Sequence, residues 1–434
     1  MVTHEGCHKW DIIIRGDRIA MITEPGAWRH ESGDVVIDAT GCHILPGVID
    51  EHVHFREPGL TAKADFDSES RAAAYGGVTT VFDMPNTSPQ TTTLKSWEEK
   101  MAIAASKCHV NYSCFIGATN DNASDLMSAD YHRIPGIKLF MGSSTGNMLV
   151  DRIDALDRVF QVAHDKRVPV MTHCEDTSLI NANMAKARQM WGDDPEVIHH
   201  PWIRSEEACV RSTALAIKMA EKHECHLHVA HISTAREVEM VDHCAFATSE
   251  AAIPHLLFTD ADYALVGTRM KCNPAVKTMH DMEALRRAVA KGKISTVATD
   301  HAPHLLSDKE GGCVRAASGM PMVQFSLIAL LGLVDAGVLT MERVVDLTSL
   351  MPKGIFKIRD RGVIRIGYKA DLAIVRHTEP WVVTDDIVQS KCRWTPLAGR
   401  RMTWKVEHTI CNGVHVFDNG RFNAQYIGEE VMFR

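Results

Sequence analysis

The stretch PGVIDEHVHFREPG, residues 46–59, is an apolar run that ends in two histidines one residue apart and then breaks into a proline- and glycine-bounded loop. Side chains two apart on a strand project to the same face, so His52 and His54 offer two imidazoles together at a strand end. Neutral imidazole nitrogen suits borderline metals such as zinc, and the pair makes half a metal site. An HxH pair is weakly specific by itself. Its ordinary alternative is two polar residues at a strand terminus, so its weight depends on the rest of the chain.

Further along, VTTVFDM (78–84), GIKLFM (136–141), VPVMTH (168–173) and STVATD (295–300) alternate with amphipathic stretches such as DRIDALDRVFQVAHD (151–165) and EEACVRSTALAIKMAEKH (206–223). That rhythm signals βαβ units and a parallel sheet. β-rich segments flank it. DIIIRGDRIAMI (11–22) reads as a hairpin and VVIDATGCHILPG (35–47) as a further strand pair. GVIRIGYKADLAIV (362–375) and HTICNGVHVFDNGRF (408–422) follow on the other side, with Asn412-Gly413 and Asn419-Gly420 as hairpin turns. The rhythm changes near residues 45 and 357, predicting units 1–44, 45–356 and 357–434. The 434 residues fit one large α/β unit, since α/β barrels take roughly 250 residues, plus a small one.

A hydrophobic content of 45% and a charged content of 24% are those of a globular chain with a sizeable core. The net charge of -8 gives no basic footprint for nucleic acid and favours small-molecule chemistry. No apolar run approaches the roughly 20 residues of a membrane span, and the first residues lack a signal-peptide apolar core, so a cytoplasmic protein is expected. The 12 cysteines include no CxxC pair and read as reduced core thiols.

Three more strand ends add to the first. His173 closes VPVMTH, His231 closes LHVAHIST and Asp300 closes STVATDHAPH. Barrel active sites are built at the C-terminal ends of several strands. A buried neutral histidine explains any one of these residues, but four histidines and an aspartate at corresponding positions point to a metal centre. Lys138, in GIKLFMGSSTG, is the odd member, because an ammonium beside metals is repulsive. A buried lysine loses its charge readily, and the neutral amine reacts with carbon dioxide to give a carbamate suited to bridging two cations. From the residues alone, Lys138 reads first as a surface or phosphate-binding lysine and second as that bridge; GSSTG lacks the GK[ST] ending of a phosphate loop. His226 and His228 lie inside a strand on the opposite parity to His231 and are expected to face the helical layer. His199 and His200, before Pro201, read as a solvated loop.

These residues together resemble the dihydroorotase, hydantoinase and allantoinase branch of the amidohydrolase superfamily. DEHVHFREPG, FDMPNT, GIKLFMGSSTG, HCED, HVAHIST, KCNP, TDHAPH and SKCRWTP stand in that family's order and span nearly the whole chain. The resemblance implies a distorted (β/α)8 TIM barrel (45–356) beside a small β-sandwich formed by both chain ends (1–44 and 357–434). It implies two zinc ions, one held by His52, His54 and Asp300 and the other by His173 and His231, bridged by carboxylated Lys138. Asp300 would also carry the proton of the reaction. Arg56 completes an HxHxR signature that resembles the dihydroorotase members, where a planar fork of donors grips a substrate carboxylate; a loop arginine is the plainer alternative. Asn86, Asn273 and His304 match the positions that complete the substrate pocket, with turn residues beside proline as the alternative for the asparagines. A homodimer, and a complex with aspartate transcarbamoylase, come from the resemblance alone. The competing readings are a hydantoinase, dihydropyrimidinase or allantoinase, and a non-catalytic interaction protein, which would typically have lost ligands. The chain departs from the pattern in a short N-terminus and in Ala275, where KCNP is commonly followed by a second proline.

Overall fold

The computed structural model describes residues 1–29, 31–142 and 148–434; residues 143–146 of the GSSTG run lie outside the described residues. Among these, eight parallel strands form a closed barrel. Val48–Val53, Val78–Asp83 and residues 111–117 pair in order, and Ile137–Phe140, Val170–His173, Leu227–Val229, Ala247–Ala252 and Thr296–Ala298 continue the ladder. The seam closes where the His54 N–H donates to the His301 carbonyl at 2.7 Å and Val53 bridges His301 in parallel.

Helices wrap the outside, as the amphipathic stretches predict. Ile153–Lys166 buries Leu156, Val159, Phe160 and Ala163, and Glu206–His223 buries Ala208, Ala216, Met219 and Ala220. Apolar positions three or four apart form one stripe on a helix, and both stripes face the strands.

The flanking segments form the second layer. Cys42–Pro46 pairs antiparallel with Leu372–Val382, which pairs with Arg401–Cys411 and onward to Val414–Asp418 and Arg421–Phe422. Both Asn-Gly turns form with positive φ at each residue, the geometry of the favoured two-residue hairpin. Asp11–Arg15 pairs with Arg18–Thr23 as expected. The strand pair expected over 35–47 is reduced to one strand, because 35–39 runs unpaired before the turn closed by Cys42 N–H and Ala39 O.

Residues 428–434 leave this layer and return to the barrel. The Val431 N–H donates to Tyr112 O and the Phe433 N–H to His132 O. Their side chains join Ile49, Phe82, Met171 and Phe356 in one fully enclosed cluster. The Phe433 and Phe356 rings meet Phe82 edge-on at 5.4 and 5.7 Å between centroids, an arrangement aromatic quadrupoles favour. This cluster is the barrel floor, and the opposite mouth stays open.

All twelve cysteines are unpaired, and no described helix is long and apolar enough to cross a membrane.

Candidate active site

The open mouth gathers eight of the ten residues singled out from sequence. His52, His54, Arg56, Asn86, His173, His231, Asn273 and Asp300 line one pocket with Phe140, Ala302, Ser318 and Gly319. Lys138 and His304 stand just behind the wall, both buried. Lys138 is the second residue of its strand rather than its end.

Each histidine is aimed by what its other nitrogen bonds. His52 Nδ1 lies 2.9 Å from Glu250 Oε1, and His54 Nδ1 lies 2.8 Å from Asn86 Oδ1. Both partners accept, so both Nδ1 atoms carry the proton and both Nε2 atoms present lone pairs. Those lone pairs converge on Asp300 Oδ1, at 3.4 Å from His52 and 3.1 Å from His54. Burial holds both imidazoles below their usual range, with Lys138 adding to the effect at His52. The Asp300 carboxyl is pushed up by burial but pulled further down by His52, His54 and His231, so it stays ionised. Two imidazole nitrogens and one carboxylate oxygen thus converge on a single point, an arrangement a cation would stabilise.

On the far side, His173 Nδ1 and His231 Nε2 are 2.9 Å apart, and His231 Nδ1 is buried without a partner among the described residues. His173 Nε2 sits 3.1 Å from Glu175, whose carboxylate also pairs with Arg204. Lys138 Nζ is buried with no hydrogen-bond partner among the described residues. Burial lowers its pKa to about 8, against the opposing pull of Glu250 and Asp300, so the neutral amine is far more accessible than on an exposed lysine. Orphaned nitrogen and a carboxylate gathered at one buried mouth fit a metal centre.

Arg56 occupies a left-handed backbone conformation, φ 66°, which costs a non-glycine residue energy and turns its side chain back toward the mouth. Its Nε donates to Pro303 O at 3.1 Å and its Nη2 lies 2.9 Å from His304 Nε2. Burial lowers it to about 10, Asp300 and Asp83 acting against the shift, so it remains charged. Among the described residues it makes no direct ion pair, and a buried cation with no anion in contact suits an anionic ligand. Asn273 Oδ1 is likewise buried and unpartnered.

The flanking loops are fixed from outside. Trp394, in SKCRWTP, donates its indole N–H to His304 O at 2.7 Å. Lys391 from the same segment reaches Thr61 O and Asp65. Lys309 Nζ donates to Lys271 O, Ala317 O and Gly319 O at 3.1, 2.6 and 2.8 Å, tying the segment of Asn273 to that of Ser318. Gly319 has φ +137°, and a Cβ there would fall 2.5 Å from Ala302 O, so the wall tolerates only glycine.

Two expectations are corrected. His228 faces the barrel interior, its ring 5.5 Å from Phe356, and not the helical layer. His231 has φ 38°, and this left-handed turn breaks the alternation on which the parity argument rested. His200 is no solvated residue: it is buried at the start of a short helix with Nε2 2.9 Å from Cys272 O, while His199 stacks on Trp191. Sequence reasoning missed Glu250 and Glu175. A glutamate inside the short apolar run SEAAI and the carboxylate two after His173 were the available signals.

A parallel barrel that presents imidazoles, a carboxylate and a buried lysine at its C-terminal mouth defines a barrel hydrolase of the metal-dependent class. The "Amidohydrolase family" model matches residues 43–416, and the chain belongs to that family. It is similar to the dihydroorotases of Methanosphaera stadtmanae, at 32% identity over 96% of both chains, and of Halobacterium salinarum, at 34% over 95% of this chain and 94% of that one. Among solved structures it is similar to L-hydantoinase (dihydropyrimidinase) from Arthrobacter aurescens, with a TM-score of 0.91 and 25% identity over 99% of this chain and 97% of that one.

Proposed function

We propose that this chain is a dihydroorotase, interconverting N-carbamoyl-L-aspartate and L-dihydroorotate in pyrimidine biosynthesis. His52, His54 and Asp300 would hold one zinc, His173 and His231 the other, with carboxylated Lys138 between them. The lysine amine adds to carbon dioxide and releases one proton to give the carbamate. When bound, two such cations acidify a water and polarise the ring carbonyl.

Asp300, ionised and central, accepts the proton of the attacking water and returns it to the ring nitrogen as the C–N bond breaks. In the closing direction it takes the proton from the ureido nitrogen. Arg56, with Asn86, Asn273 and His304 around it, orients the substrate carboxylate.

The observation that carries this reading over a hydantoinase is Arg56: a buried, charged, unpaired guanidinium beside the pocket matches a ring bearing a carboxylate. Turnover of L-dihydroorotate by the zinc-loaded protein, beside hydantoin, dihydrouracil and allantoin, tests it. Activity confined to dihydroorotate and lost in Arg56→Ala is expected; turnover of a ring without a carboxylate rejects it, and silence on all four supports a non-catalytic relative. The same reading places the protein in the cytoplasm as a homodimer able to join an aspartate transcarbamoylase, which light scattering with and without that enzyme checks.

A further inference from the structure

One layer below the pocket, three strands turn polar side chains into the barrel interior. Glu51, His228 and Glu250 are all fully buried, and one donor atom from each lies within 4.8 Å of the others. Among the described residues, neither carboxylate oxygen of Glu51 has a hydrogen-bond partner, and neither does His228 Nε2. His228 Nδ1 lies 2.8 Å from Thr248 Oγ1, which also meets His226 Nε2 at 2.9 Å; with Nδ1 donating to that hydroxyl, Nε2 is left with a lone pair for the gap. The donors are thus close enough to share one centre yet too far apart to bond one another.

Two carboxylates and an imidazole converging on one enclosed point supply the ligand types of a divalent first-row ion.

We propose that Glu51, His228 and Glu250 form a third cation site, enclosed in the barrel and separate from the pair at the mouth, for a divalent ion of the zinc or manganese class. Two carboxylates neutralise such an ion. The inference rests on Lys138 being a carbamate, as read above, because an ammonium there would itself compensate Glu250. With every donor sealed from solvent, the ion is held against chelators that reach the open mouth.

Metal counting by plasma emission spectroscopy tests this on the full chain loaded with zinc alone and, in parallel, with manganese alone. The wild type should carry three equivalents and keep one after dialysis against dipicolinate. Glu51→Met and the isosteric Glu51→Gln should carry two and keep none. After dialysis, both variants should also melt below the wild type. Two equivalents in the wild type with none retained overturns the site, and so does a higher melting temperature for Glu51→Met, which is what removing an uncompensated buried carboxylate produces. Fewer than two chelatable equivalents in the wild type counts instead against the pair at the mouth, while the Glu51-dependent equivalent is still read from the dialysed samples.

Discussion

Glu250 holds two histidine-bearing strands at once: its Oε1 lies 2.9 Å from His52 Nδ1 and accepts the His231 backbone N–H at 3.0 Å. One carboxylate therefore sets the aim of an imidazole on the first barrel strand and the position of another on the sixth. Glu250→Ala should weaken zinc binding at the mouth by about 10–100-fold, the usual penalty for losing a group that orients a ligand. Competition with a fluorescent chelator measures it, and unchanged affinity would remove Glu250 from the site.

Asp300 is assigned the proton. Asp300→Asn keeps the shape and an oxygen for the cations but cannot accept a proton, so turnover should fall by about 10²–10⁴-fold while metal content stays close to that of the wild type. Stopped assays paired with metal analysis separate the two roles, and full activity in this variant would end the assignment.

Lys309 positions rather than touches. It binds three carbonyls across two segments, and Lys309→Met leaves those carbonyls without their donor at about 1–3 kcal/mol each if they stay buried. KM for dihydroorotate should rise more than kcat falls, because Asn273 and Ser318 lose their fixed spacing while Asp300 is untouched. A pure loss of kcat with unchanged KM would contradict it.

Asp65 caps the helix Phe66–Tyr75, accepting from Ser68 N–H at 2.9 Å, and also meets Lys391. Burial pushes its carboxyl up, but Lys391 and the Ser68 donors pull it below the ordinary value. A depressed carboxyl contributes stability above its unfolded pKa and loses it as pH falls through the folded one. Asp65→Ala should therefore cost about 1 kcal/mol at neutral pH, and the gap to wild type should close below about pH 4. Denaturant melts at pH 7 and pH 3.5 check the sign.

Much of the site was legible because period-two geometry carries it: His52, His54 and His173 end apolar runs, and the chain places them where that pattern says. His231 and Asp300 reach the same mouth through left-handed residues, φ 38° and 47°, which no glycine announces, so the alternation misdirected the reading of His228. Glu250 stood out in its apolar run, but its role was hidden for another reason. Its partner His52 is 198 residues away, and a lone carboxylate in an apolar strand has no local spacing to betray it. The second layer was readable where Asn-Gly turns fixed the register and unreadable over 35–39, where nothing pairs.

The floor built from Val431 and Phe433 has a meaning for biosynthesis. These two side chains pack on Ile49 and Phe82, so the barrel interior joins the first strand to residues made some 380 positions later. Until Val431 and Phe433 are in place, the cluster of Phe82, Met171 and Phe356 lacks two of its members, and part of its apolar surface is left uncovered. Such exposed apolar surface is what drives aggregation of partly folded species, so the interval before the floor is seated is when this enzyme most needs protection.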